Sequence, residues 1–367
     1  MEQLIQHVTF FGSPYEYSFI REGLSPLDHI RLERLEGIDP LTVQSDMLII
    51  GHSLPEFDSA VIARTRKPGH GPRSVVSISH GPYPQNGMPS PLDADSDSFH
   101  FRWVTDVSLA RYVLHLVEDH LFADHYYQVQ HRRFLLLVED EINFASYFIP
   151  LIIKELEERT LSLLPGTSDV EQRSIKQNTE RPVLLLASNY EQACQFIDVY
   201  GDRMVGVISS LGFPKGGVND LNAGFHLVER VKALPMEIPV VIQTSQREKS
   251  DIIRKAGGAF MDKKGPRLLH QLRQYLVDYF GFGDFVFRLP DSDNTIVAKA
   301  KTFEELKSCL EWIPFKSFVY HAERRHFSNW LGVHGHLELA ERIRPIPPDS
   351  GESSRKTLLS LLTQPPG

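Results

Sequence analysis

The stretch FLLLVEDEINFASYFIPLIIKELEE, Phe134–Glu158, sets five consecutive apolar residues against an acidic triplet and then a long helical pattern. An apolar run without alternation marks a strand buried on both faces, and the 3.6-residue spacing after it marks a helix. The same unit recurs downstream. Strands fall at Phe134–Val138, Val183–Ala187, Met204–Ser209, Val240–Thr244 and Ala259–Met261. Helical stretches lie near Ile142–Glu158, Asn189–Tyr200, Ala223–Leu234, Gln246–Ala256 and Arg267–Phe280. Near-continuous apolar strands that are each followed by a helix specify a parallel sheet covered on both faces. With right-handed crossovers the expected fold is α/β, a flavodoxin-like, doubly wound, five-stranded parallel sheet over 132–281. About 20 polar residues at 162–181 stand where 2–6 are usual, and read as an insertion.

Working outward, residues 1–125 also alternate strand and helix. His7–Phe11, Met47–Ile50 and Val75–Ser79 are strand-like, Asp106–Phe122 has helical periodicity, and Gly81–Ser98 reads as a long loop. Residues 282–345 form a small α+β module, with a hairpin of Phe285–Arg288 and Thr295–Ala300 around Asp291–Asn294, then helices at Thr302–Trp312 and Ala322–Arg342. The segment 346–367 lacks a packed-core pattern and reads as a disordered tail.

Of the 367 residues, 41% are hydrophobic and 23% charged, enough to bury real cores, which excludes a disordered or collagen-like chain. The net charge of −8 disfavours a nucleic-acid partner. The densest basic cluster, Arg64, Arg66, Lys67 and Arg73, runs into Pro and Gly and reads as a solvated loop. Cys194 and Cys309 cannot build a disulfide framework and fit a reducing compartment. The N-terminus has no signal-peptide pattern and no apolar run is long enough to cross a membrane, so a cytoplasmic location without membrane attachment is expected.

In a doubly wound sheet, chemistry collects at the carboxyl ends of the strands. There lie Glu139 and Asp140 after the first strand, Ser210 after the third, Thr244 closing the fourth and Lys263 after the fifth. Paired carboxylates suit a hard divalent ion such as Mg2+, and a hydroxyl and an ammonium on neighbouring strands suit phosphoryl oxygens. FLLLVEDE (134–141), VISSLGFPKGGVNDLNAG (207–224), PVVIQTS (239–245) and GAFMDKKGP (258–266) together resemble a response-regulator receiver domain. The resemblance implies that Glu139 and Asp140 are the metal-binding acidic pair, Thr244 the switch hydroxyl and Lys263 the pocket lysine. Pro214 and Gly224 match the turn residues after the phosphoacceptor.

Ser210 stands where receivers carry the aspartate that is phosphorylated. A carboxylate is ionised and nucleophilic at neutral pH, whereas a serine hydroxyl needs a base, and no histidine adjoins Ser210 in sequence. Loss of phosphoryl transfer at this position is expected, with Ser210 itself or a displaced acceptor such as Asp220 as the alternatives. With only Glu139 and Asp140 left as charged ligands beside a lysine, Mg2+ is expected to bind weakly.

The segment DMLIIGHSLPEFDSAVIARTR (46–66) resembles a receiver third strand, turn and helix with Gly51 and His52 at the acceptor position, so 1–125 is read as a second, degenerate receiver-like domain. Asp93, Asp95 and Asp97 begin a calcium-loop pattern, but Ser98 and Val104 stand where glycine and glutamate are required. Gly216–Gly217 lacks a P-loop ending. His321 and His326, five apart on one presumed helix and about 140° apart around it, are expected to be poor co-ligands, and His334 and His336 to take packing or surface roles. FGFGDFVFR (280–288) and YHAERRHFSNWLGVHGHLELAERIRP (320–345), with the SPYEYSFI start, resemble the region that joins tandem receiver-like domains to a phosphoenolpyruvate synthase or pyruvate phosphate dikinase catalytic portion.

Two functions are therefore expected. The first is a non-enzymatic two-component signalling protein, a pseudo-receiver in a phosphorelay setting, that works by contact with a protein partner, either a sensor kinase or a regulated enzyme. The second is the regulatory N-terminal part of a phosphoenolpyruvate synthase-like phosphotransfer enzyme, truncated or split from its catalytic domains.

Overall fold

The computed structural model describes residues 5–35, 45–51, 72–79, 98–103, 106–163, 180–234, 236–290, 295–346 and 352–363. The first unit runs β1 (His7–Phe11), α1 (Pro14–Leu24), β2 (Arg31–Leu35), β3 (Met47–Gly51), β4 (Ser74–Ser79), β5 (Ser98–Arg102), α2 (Leu109–Leu121) and α3 (Ala123–Gln128). The second runs β6 (Phe134–Val138), α4 (Ile142–Leu163), β7 (Val183–Ala187), α5 (Tyr190–Tyr200), β8 (Met204–Ser210), a ribbon of β9 (Phe213–Lys215) and β10 (Val218–Asp220), α6 (Ala223–Lys232), β11 (Val240–Thr244), α7 (Ser250–Ala256), β12 (Ala259–Asp262) and α8 (Leu268–Asp278).

Both large sheets are five-stranded and wholly parallel. Their orders, β2-β1-β3-β4-β5 and β7-β6-β8-β11-β12, are the same flavodoxin-like 2-1-3-4-5 arrangement. The second sheet follows from its apolar runs: every residue of β6, β7, β8 and β11 is buried. Local caps set the helix starts. Ser13 and Glu16 form a reciprocal capping box on α1, and Asn189 accepts from Gln192 N on α5. At Gly206 of β8 an added Cβ would lie 2.3 Å from the Phe280 ring, so this glycine lets Phe280, two residues beyond α8, pack closely on the strand.

The two units are not beads on a string. One continuous apolar core takes in Phe99 and Phe101 of β5, Val113 and Leu116 of α2, Ile149 and Ile153 of α4, and Leu184 and Leu186 of β7. One edge strand of each sheet is met by a helix of the other unit. Leu184 N and Leu186 N of edge strand β7 donate to Asp119 Oδ2 and His120 Nε2 of α2, both at 2.8 Å. Arg181 grips Asp119 in a bidentate pair at 2.7 and 3.0 Å. In return, Arg102 N at the end of edge strand β5 donates to Ser146 Oγ of α4 at 2.8 Å. These side chains satisfy donors that an open sheet edge would offer to other chains.

The C-terminal module consists of an antiparallel hairpin, β13 (Phe285–Arg288) with β14 (Ile296–Ala300), and helices α9 (Phe303–Trp312), α10 (Phe315–Glu323), α11 (His326–Val333), α12 (Leu337–Ile343) and α13 (Glu352–Thr363). It docks on the amino ends of the second sheet, opposite the carboxyl ends where chemistry is expected. Glu341 of α12 accepts from Arg133, just before β6, at 3.0 Å, from Arg203, just before β8, at 2.7 Å, and from Arg344 at 2.6 Å.

Several expectations need correction. The expectation of a disordered tail over 346–367 is corrected for 352–363, which form α13, with Leu358 and Leu362 buried in the module's core. Its pattern was weak because a single short apolar stripe is flanked by Pro and Ser. The presumed helix Ala322–Arg342 is three helices, α10 to α12, bent where Arg325 takes φ 57° and Gly335 φ 81°. Strands β2 and β5 were not foreseen. RLERL is too charged to read as a strand, and Ser98 opens β5 instead of closing a loop. Most of the insertion 162–181, His52, the Asp93–Asp97 run and the Asp291–Asn294 turn lie outside the described residues.

Candidate functional site

The carboxyl ends of β6, β8, β11 and β12 converge on one buried carboxylate, Glu139, which has no solvent exposure. Its Oε2 accepts from Ser210 Oγ and from Gln243 Nε2, each at 2.9 Å. Its Oε1 accepts from Lys263 Nζ at 2.9 Å and from the Glu141 amide at 3.0 Å. Lys263 also reaches Ser210 Oγ and Glu141 Oε1, both at 3.3 Å, and rests 4.4 Å from the Phe144 ring centroid. Ser210 and Gln243 are register partners across β8 and β11, so both side chains leave the sheet on the same face. Behind Ser210 the start of α6 packs directly on the strand exit: a Cβ on Gly224 would lie 2.7 Å from Ser210 O.

The other sequence-selected residues make no hydrogen bond to Glu139 among the described residues. Thr244 is one residue out of phase with Gln243, and its hydroxyl accepts from Gln246 N at 3.2 Å. Asp140 is half-buried, and among the described residues no hydrogen bond joins it to Lys263, Ser210 or Gln243. Pro214 and Asp220 belong to the β9–β10 ribbon, where Asp220 accepts from Asn222 N and lies 3.5 Å from His226 Nε2. Gln243 and Glu141 were missed. The signal for Gln243 was available, since one amide inside the apolar run VVIQT must find a polar partner.

Burial dominates the electrostatics. Loss of solvation pushes the Glu139 carboxyl up to about 7, against the opposing pull of the Lys263 ammonium and the Lys263, Glu141 and Ser210 hydrogen bonds. Burial also raises Asp140, again against Lys263.

The donor set does not fit Mg2+. Each oxygen of Glu139 already accepts two protein hydrogen bonds. The ammonium of Lys263 lies against the carboxylate that such an ion would need. No group of three or more His, Cys, Asp or Glu suited to a metal occurs among the described residues. Nor does any helix among them have the length and apolar character to cross a membrane.

The first unit has its own version of this end. Glu16, from α1, is buried, and its carboxylate would lie 2.6 Å from a Cβ on Gly51, the end of β3. A carboxylate borrowed from the helix thus fills the space over a strand end that carries no side chain. In the module, the bend at Arg325 brings His321 and His326 together, Nδ1 to Nδ1 at 2.9 Å, against the expectation from one continuous helix. His334 stacks on Trp330 and His336 packs against Phe303.

No protein-family model and no curated protein sequence matches the chain. Among solved structures, a two-component system response regulator/GGDEF domain protein overlaps 74% of this chain and 98% of its own at 12% identity and a TM-score of 0.28. The apo D-lactate dehydrogenase of Escherichia coli overlaps 73% and 93% at 10% identity and a TM-score of 0.20. Overlaps this loose carry no argument about function. The strand orders and the pocket geometry stand on their own.

Proposed function

We propose that the chain is a receiver-derived regulatory protein that takes no phosphoryl group at Ser210 and acts through contact with a protein partner, a sensor kinase or a regulated enzyme. The observation that carries this reading is the closed set of bonds around Glu139. A working acceptor needs an ionised nucleophile open to solvent and a metal beside it. Here the acceptor position holds a hydroxyl that is 3% exposed and donates to Glu139. Lysine, serine and glutamine occupy the lone pairs that a metal would use, so the pocket is self-contained and its conformation does not depend on a phosphoryl donor.

Beryllofluoride with Mg2+, a stand-in for a bound phosphoryl group, tests this. The melting temperature and the amide spectrum of the full chain are expected to stay unchanged on addition. Ligand-dependent stabilisation of several degrees, with shifts at Ser210 and Lys263, would show an open, functional pocket.

A further inference from the structure

The bend between α10 and α11 builds a polar chain that crosses from the C-terminal module to the base of the second sheet. Arg288 N, at the end of β13, donates to His321 Nε2 at 2.9 Å. A backbone N–H can only donate, so Nε2 is the unprotonated nitrogen and His321 carries its proton on Nδ1. That proton points at His326 Nδ1, 2.9 Å away, which must accept it. His326 therefore holds its own proton on Nε2, the nitrogen 3.6 Å from Glu237 Oε2 in the segment before β11. One backbone amide thus fixes both tautomers.

We propose that this pair is an acid-operated switch in which His326 releases His321, inside the module, and keeps Glu237, in the segment before β11. A second proton on His326 can only go to Nδ1. There it would face the Nδ1–H of His321, donor against donor at hydrogen-bond distance. His321 cannot yield by moving its proton to Nε2, because that would set Nε2–H against the Arg288 amide. It cannot take up a charge either, since it is 3% exposed and flanked by cationic Arg288 and Arg324. The 321–326 bond breaks, and the charged ring stays with Glu237.

Arg324 shares Glu237 with His326, its Nε at 3.1 Å, and its charge works against protonation of the ring; Glu323, 3.5 Å from Arg324, and Glu237 itself offset that charge. The Tyr320 and His326 rings meet edge to face, 6.0 Å between centroids. The bend is built around Arg325, a non-glycine residue held at positive φ, 57°.

Hydrogen exchange of the full chain at about pH 7.5 and about pH 5.5, spanning the range where imidazoles ordinarily titrate, reads the switch. After correction for intrinsic exchange, amides of 320–329 are expected to exchange roughly threefold faster or more at the acid pH. His326→Asn keeps an acceptor for His321 but cannot titrate, and is expected to abolish that difference. Side-chain nitrogen NMR of the wild-type chain is an independent reading, with His321 protonated on Nδ1 at both pH values and His326 moving from Nε2–H to doubly protonated. Equal pH dependence in wild type and His326→Asn, no pH dependence in wild type, or neutral His326 protonated on Nδ1 would each overturn the proposal.

Discussion

Lys263 Nζ lies 2.9 Å from Oε1 of Glu139, a carboxylate with no solvent exposure, and sits over the Phe144 ring, 4.4 Å from its centroid. Above the value of about 7 at which Glu139 ionises, removing one member of this buried pair leaves an uncompensated charge, which costs far more than the pair contributes. Lys263→Ala is expected to lower stability by about 3–5 kcal/mol, and the double change Glu139→Gln with Lys263→Met to restore most of it. Urea unfolding of the three proteins checks this. Equal losses in the single and double variants would mean that the two residues are not coupled.

Glu139 also predicts a pH dependence. Its folded-state value of about 7, against an ordinary 4.5, means the folded chain holds this proton more tightly than the unfolded one. The resulting stability is fully present below pH 4.5 and is lost as pH rises to about 7, a swing of about 3 kcal/mol. Glu118, also raised to about 7 by burial, acts in the same direction. Glu139→Gln should therefore flatten the profile over that interval without levelling it. Urea midpoints measured across it decide the point, and a profile as steep as wild type would be the wrong outcome.

The joint between the two sheets rests on Asp119, which binds Arg181 in two bonds and takes the Leu184 amide of the edge strand. Asp119→Ala strands a buried guanidinium and a buried N–H, and should cost about 3–5 kcal/mol. Asp119→Asn, which keeps an acceptor for the amide, should cost less. Amide exchange at Leu184 and Leu186 reports whether the edge has opened, and unchanged protection in Asp119→Ala would argue against the shared layer.

The helix found in the expected tail is testable by one side chain. Leu358 is buried in the module core, so Leu358→Ala should destabilise by about 2–5 kcal/mol. A neutral result in denaturant unfolding would return residues 352–363 to a dispensable tail.

What the sequence revealed follows from what a local pattern can encode. Unbroken apolar runs such as FLLLV and VLLLA report two-sided burial directly, so the second sheet was legible strand by strand. Arg31–Leu35 was not legible, because an edge strand tolerates charge and loses the apolar signature. Glu139, Ser210 and Lys263 were placed by strand-end position alone, and they do meet. Gln243 replaces Thr244 at Glu139 because side chains alternate along β11, and a one-residue difference in phase moves the next residue to the other face. For His321 and His326 only the premise of one straight helix is overturned, for a related reason. Their angle on a straight helix is correct, but a single positive φ at Arg325, invisible to periodicity, ends that helix between them.

The central claim is that Ser210 sits in a pocket closed by the chain's own lysine. It is tested most directly by incubating the full chain with acetyl phosphate and Mg2+ and measuring its intact mass. The mass is expected to stay that of the unmodified chain. A stoichiometric gain of one phosphoryl group, mapped to Ser210, would contradict the account.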